Sequence, residues 1–95
     1  IVLFLKQITI SYYDLAYCDA QNFQFIIAGH TDSRASEIYN MRLSKLRASA
    51  VALIGRSVGE KILAVQAFGE TQPKMSNATA AGMAKNRRVE IMCVS

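Results

Sequence analysis

FQFIIAGHTDSRASEIYNMRLSKLRASAVAL, residues 23–53, is the stretch on which the fold turns. Its first part, Phe23 to Ala28, is a short run rich in Phe and Ile, closed by Gly29 and followed by turn-forming residues, as expected of a buried strand. Asp32, Ser33 and Ser36 can each accept hydrogen bonds from the free N–H groups at the start of a helix, so a helix should begin between Ser36 and Asn40. From there Tyr39, Leu43, Leu46, Ala50 and Leu53 recur at alternating spacings of four and three, the pattern of an amphipathic helix with these residues as its apolar stripe.

Downstream, Gly55 and Gly59 mark the helix end, Ile62 to Phe68 reads as a further strand closed by Gly69, and a polar connection runs from Glu70 to Lys85. The last strand, Arg87 to Val94, alternates cleanly: Val89, Ile91 and Cys93 on one face, Arg88, Glu90 and Met92 on the other. Upstream, Val2 to Leu5 suits a first strand and Ser11 to Ala20 a short helix. The order β-α-β-α-β-β implies an α/β two-layer sandwich. Right-handed crossovers make the first three strands parallel and put the helices on one face of the sheet; the last strand can insert antiparallel to give a mixed four-stranded sheet.

The 95 residues, 52% apolar, are expected to form a single domain spanning 1–95. No apolar stretch reaches the roughly 18–20 residues of a membrane helix, so membrane attachment is expected only through segments outside this chain. Eleven Lys and Arg against seven Asp and Glu give a net charge of +4, which favours an anionic partner without choosing among nucleic acid, membrane surface and cell wall. Nucleic acid is disfavoured because no strand carries the paired exposed aromatics on which bases stack. Cys18 and Cys93 leave two readings open, one disulfide or two buried thiols. No HExxH, CxxC or GxSxG pattern is present, so no metal, no cofactor and no catalytic residue is expected. Gly55 and Gly59 lack the Lys-Ser/Thr of a phosphate loop.

The polar residues concentrate between His30 and Arg47. His30, Thr31 and Asp32 leave the carboxyl end of a strand, where α/β folds tend to place ligands. Asn40, Ser44 and Arg47, spaced i, i+4, i+7, share one helix stripe and can face a ligand together. A carboxylate accepts from an ammonium and a guanidinium fork binds a carboxylate, so Asp32 and Arg47 would match the two ends of a zwitterion. Equally, they could pair with each other, or Asp32 could cap the loop and Arg47 be solvated. Of Arg87 and Arg88, one could border a ligand groove, or both could be engaged with Glu90 or solvent.

The segment GHTDSRASEIYNMRLSKLRASAV, residues 29–51, resembles the core motif of OmpA-like domains, the family that includes OmpA, the peptidoglycan-associated lipoprotein and MotB stators. The matching elements are GHTD (29–32), Tyr39-Asn40, Leu43-Ser44 and Arg47-Ala48. They continue in FGETQP (68–73), Asn77, Thr79, Gly82 and NRRVEI (86–91), with Ala35 and Met83 standing where the family more often has Gly and Arg. The resemblance, over residues 25–92, implies a non-enzymatic peptidoglycan-binding domain of the periplasm, tethered to the outer membrane or to a flagellar motor, with room for a homodimer. It implies recognition of stem-peptide diaminopimelate, with Asp32 on the ammonium and Arg47 on the carboxylate. Asn40 and Thr31 would hydrogen-bond around them, Leu43 would form wall, and the loop from Ser33 to Ile38 would give backbone donors. The GHTD match also implies that His30 hydrogen-bonds its neighbouring loop; of the two C-terminal arginines, Arg87 is taken as the one bordering the groove.

Overall fold

A computed structural model describes residues 8–13 and 24–94. Within them lie strand β1 (Thr9–Tyr13), strand β2 (Gln24–His30), helix α1 (Glu37–Ser57), strand β3 (Ile62–Gly69), helix α2 (Ala80–Asn86) and strand β4 (Arg88–Val94). The four strands form one mixed sheet in the order β1-β4-β2-β3. The architecture is the expected α/β sandwich, with α1 laid across β2 and β3.

Three features differ from the sequence reading. The first strand described is Thr9–Tyr13, which takes the first three residues of the stretch read as a helix; the strand proposed at Val2 to Leu5 and the remainder of that helix lie outside the described residues. Among the described residues, the first three strands are not all parallel. β2 and β3 are parallel, β4 is antiparallel to β2, and β1 is parallel to β4, so β1 runs against β2 and β3. The polar connection also contains a helix, α2, capped by Thr79, whose Oγ1 accepts from the Gly82 N–H at 3.0 Å.

Helix α1 starts where Ser36 accepts from the Tyr39 N–H at 3.1 Å, has Glu37 in its first turn and Arg56 in its last, and so suits the helix dipole at both ends. It closes at Gly59, whose φ of 89° is the left-handed conformation that glycine adopts without a Cβ clash. Its buried face is turned from the predicted one, of which Ala50 is buried and Leu43 half-buried. Tyr39, Leu46 and Leu53 are exposed, and the buried positions are Asn40, Ser44, Arg47, Ala48, Ala50, Val51 and Ala52. Small residues there let the helix lie close to the sheet. Gly29 is required at the crossing, since a Cβ on it would overlap the Ser44 carbonyl. The core beneath consists of Ile27, Ala48, Val51, Ala52, Val89 and Ile91, flanked by Ile8, Phe25, Ile62 and Val65. Of the two cysteine readings, the disulfide holds for Cys93, which is bonded; Cys18, the other cysteine of the chain, lies outside the described residues.

On the opposite face of the sheet, His30 stacks on Phe68 with ring centroids 5.2 Å apart, and its Nε2 lies 3.1 Å from Glu90 Oε1. Its partner is therefore a carboxylate on β4, not the loop that follows it in sequence. Arg88 completes this cluster, donating from Nε to Glu90 at 2.8 Å and from Nη2 to the Gln72 carbonyl at 3.0 Å. Burial lowers the His30 pKa, the Arg88 charge lowers it further, and Glu90 opposes both. The imidazole is thus held neutral, as a packing element.

Candidate functional site: a charged cleft at the end of β2

The loop after β2 and the first half of α1 enclose a cleft of about 310 Å3, lined by Thr31, Asp32, Arg34, Ala35, Tyr39, Asn40, Leu43, Arg47 and Arg87. Six of the residues singled out from sequence meet there: Thr31 and Asp32 from the strand end, Asn40, Leu43 and Arg47 from one stripe of α1, and Arg87 from the α2–β4 junction. Ser33 is exposed and is not among the lining residues. Ser44, on the same stripe, faces away from the cleft: its hydroxyl donates to the Met41 carbonyl at 2.8 Å and accepts from the Gly69 N–H at 2.9 Å. It ties α1 to the end of β3.

That tie helps shape the site. Gly69 has φ of 55° and packs against the backbone of Asn40 and Met41, and its carbonyl accepts from the Thr31 N–H at 2.8 Å. The end of β3 thus braces both walls of the cleft. Asn40, almost fully buried, donates through Nδ2 to the Ala35 carbonyl at 3.1 Å and to Glu70 Oε1 at 3.2 Å, which fixes the loop against the helix.

Asp32 is bonded through both carboxylate oxygens. Its Oδ1 accepts from the Arg34 backbone N–H at 3.0 Å, an Asx turn that orients the carboxylate. Its Oδ2 accepts from Arg34 Nε at 3.0 Å and from Arg87 Nη1 at 2.9 Å, and lies 2.9 Å from Arg34 Nη2. Burial alone would raise its pKa. The hydrogen bonds from the Arg34 side chain and backbone, and from Arg87, outweigh this and hold the carboxyl below its ordinary range. It is charged at neutral pH.

Arg47 is only 8% exposed, which rules out the solvated helix residue that its sequence position allowed. Burial lowers its pKa; Asp32 acts against that, while Arg87 and Arg34 add to it as like charges. A guanidinium remains protonated under such pressure, so the cost falls on the charged form and is relieved by an anion in the cleft. With three guanidinium groups against the single Asp32 carboxylate, the walls carry a positive excess.

Of the two C-terminal arginines, Arg87 borders the cleft and Arg88 is the one paired with Glu90. Sequence reasoning placed Arg34 and Ala35 at the site only as part of a loop of backbone donors, and missed the Arg34 side chain, Tyr39 as a lining residue and Glu70 as the brace behind Asn40. The signal for Arg34 was present: a cation two residues after a turn carboxylate lies within reach of it. A second cavity, also about 310 Å3, opens between the C-terminal half of α1 and the starts of β2 and β3. Its lining is apolar but for Glu60, so it holds no cation to meet the carboxylate of a zwitterion, and the chemistry favours the charged cleft.

Similarity to known proteins gives the family. The family model described as "OmpA family" matches residues 11–87. Outer membrane protein A of Bordetella avium is 42% identical over 71 residues, covering 73% of this chain and 37% of that protein. The peptidoglycan-binding protein ArfA of Mycobacterium tuberculosis is 47% identical over 68 residues, covering 70% of this chain and 21% of its own length. This chain therefore spans well under half of these relatives. Among solved structures, the peptidoglycan-associated lipoprotein of Burkholderia pseudomallei superposes with a TM-score of 0.69 at 28% identity, over 76% of this chain and 63% of that one. The cell wall anchor of the type VI secretion system (T6SS) of Pseudomonas aeruginosa superposes with a TM-score of 0.62 at 39% identity, over 75% of this chain and 53% of that one. With the family match running from β1 through the cleft to Arg87, this chain belongs to the OmpA family.

Proposed function

We propose that this domain binds peptidoglycan non-covalently, gripping the diaminopimelate of the stem peptide in the cleft at the end of β2 and so anchoring a periplasmic envelope protein to the cell wall. The observation that carries the reading is the meeting of Asp32, Asn40, Leu43 and Arg47, the motif residues of the family, around one cleft that presents both signs of charge. Diaminopimelate offers an ammonium and a carboxylate on one carbon at the end of a short aliphatic arm. Asp32 takes the ammonium and Arg47 the carboxylate; Thr31 and Asn40 contribute hydrogen bonds at the walls, and Leu43 and Tyr39 pack on the arm. The positive excess of the cleft suits a ligand bearing further carboxylates along the peptide. No covalent step is involved. The role is that of an anchor, with the rest of the protein tethered to the outer membrane.

Lysine in place of diaminopimelate lacks the carboxylate that Arg47 receives. The chain is expected to co-sediment with diaminopimelate-type sacculi and to remain mostly in the supernatant with lysine-type sacculi. Equal sedimentation with both would remove diaminopimelate from the reading while leaving wall binding in place.

A further inference from the structure

The carboxylate assigned to the ligand's ammonium is already occupied. Three of the four contacts on Asp32 converge on Oδ2, two from Arg34 and one from Arg87. The two arginines are not equivalent. The Arg87 side chain is 17% exposed, whereas that of Arg34 is 61% exposed and reaches Asp32 from the solvent side of a loop. An ammonium arriving while Arg34 stays in place would put three cations on one carboxylate, with like charges at close range.

We propose that Arg34 is an internal competitor for the ligand's ammonium: its guanidinium caps Asp32 in the empty cleft, leaves when an amine-bearing ligand enters, and thereby sets the affinity and selectivity of the site. This rests on the ligand reading above. The device is suited to exchange. Asp32 keeps its orientation when the Arg34 side chain departs, because the Arg34 backbone N–H still holds Oδ1 at 3.0 Å and Arg87 still holds Oδ2. The exposed arginine regains rotamer freedom outside, which offsets part of the loss of its ion pair. A neutral ligand, or one whose amine is blocked, supplies nothing to replace the guanidinium and leaves the cap on.

The consequence runs against the intuition that deleting a cation weakens binding to an anionic wall. If the cap is closed between about two-thirds and nine-tenths of the time, its removal raises affinity about threefold to tenfold, since apparent affinity scales with the competent fraction. Arg34→Ala, Arg34→Lys and the unaltered chain are to be titrated calorimetrically with a stem tripeptide ending in diaminopimelate. The same peptide acetylated on its side-chain amine serves as the second ligand. Expected is about threefold to tenfold tighter binding of the free-amine peptide by Arg34→Ala, a smaller gain for Arg34→Lys, which can still cap with one ammonium, and no gain with the acetylated peptide. Unchanged or weaker binding of the free-amine peptide by Arg34→Ala overturns the competitor role, and so does an equal gain with both peptides. If the unaltered chain binds neither peptide, the ligand reading itself fails; if its binding depends on Asp32 but not on Arg34 in this way, only the competitor role does.

Discussion

Replacing Arg47 by Ala is expected to weaken binding of a diaminopimelate stem peptide about 10–150-fold, the range for losing a charge-assisted contact of about 1.5–3 kcal/mol. The position explains the size of the effect. Arg47 lies on the buried stripe of α1, almost out of contact with solvent, in a cleft whose other cations, Arg34 and Arg87, already press on it. A carboxylate entering this site meets a poorly hydrated guanidinium, whose fork can make two parallel hydrogen bonds. Removing the side chain takes away that partner, and with it both the attraction of Asp32 and the like-charge pressure of Arg34 and Arg87 at this position. Far-ultraviolet circular dichroism should match the parent while calorimetry records the loss. Arg47→Lys restores charge without the fork and should recover only part of the affinity. A loss below about threefold for Arg47→Ala, in a folded protein, would contradict the assignment of the carboxylate.

Asn86→Ala should cost about 2–4 kcal/mol of stability, although the residue lies outside the cleft. Asn86 is fully buried and uses its whole hydrogen-bonding capacity. Its Oδ1 accepts from the Lys74 N–H at 2.7 Å and the Met75 N–H at 2.9 Å; its Nδ2 donates to the Met75 carbonyl and to Asn77 Oδ1, each at 2.8 Å. The side chain pins the loop after Pro73 to the end of α2, directly before Arg87 and the last strand. Alanine leaves two backbone N–H groups and a carbonyl to find water in a partly buried place, at about 1–3 kcal/mol for each group that fails. For a domain of this size the midpoint of thermal unfolding should fall by roughly 10–20 °C. Asn86→Asp keeps the acceptors but loses both donors and should be intermediate. A denaturation midpoint unchanged by Asn86→Ala would show that the loop is held by other contacts.

These two positions mark how far the sequence could be read. The strand from Phe23 and the helix after Ser36 follow from local chemistry: an apolar run closed by glycine, then a capping serine and a helical period. That Asn40 and Arg47 share a stripe followed from helix geometry, but their role as ligand residues came from the family motif, and Ser44 of the same stripe turns to β3 instead. Which face of α1 turns inward did not follow from that geometry. Tyr39, Leu46 and Leu53 supply the apolar period, yet the helix buries the neighbouring stripe of Asn40, Ser44, Ala48 and Val51, because Gly29 admits the Ser44 backbone and the alanines shorten the distance to the sheet. Hydrophobic period finds a helix; close approach chooses its face, and that depends on a residue fifteen positions away. The direction of β1 was hidden for a related reason. It is fixed by pairing with β4, almost eighty residues on, where Ile10 meets Val89. Asn86 was legible only as part of a family signature, since its partners lie nine to twelve residues back in a loop that has no period at all. His30, similarly, was expected to bond locally and instead meets Glu90 across the sheet.

If diaminopimelate enters the cleft between Asp32 and Arg47, a 1H–15N titration of the domain with a diaminopimelate stem tripeptide should shift the backbone amides around that cleft. The shifts should gather on Thr31, Asp32, Arg34, Asn40, Leu43 and Arg47, with Arg87 joining them from the far wall. Shifts centred instead on the apolar cavity at Phe25, Val51 and Ile62, or on the His30–Glu90 face of the sheet, would contradict this placement.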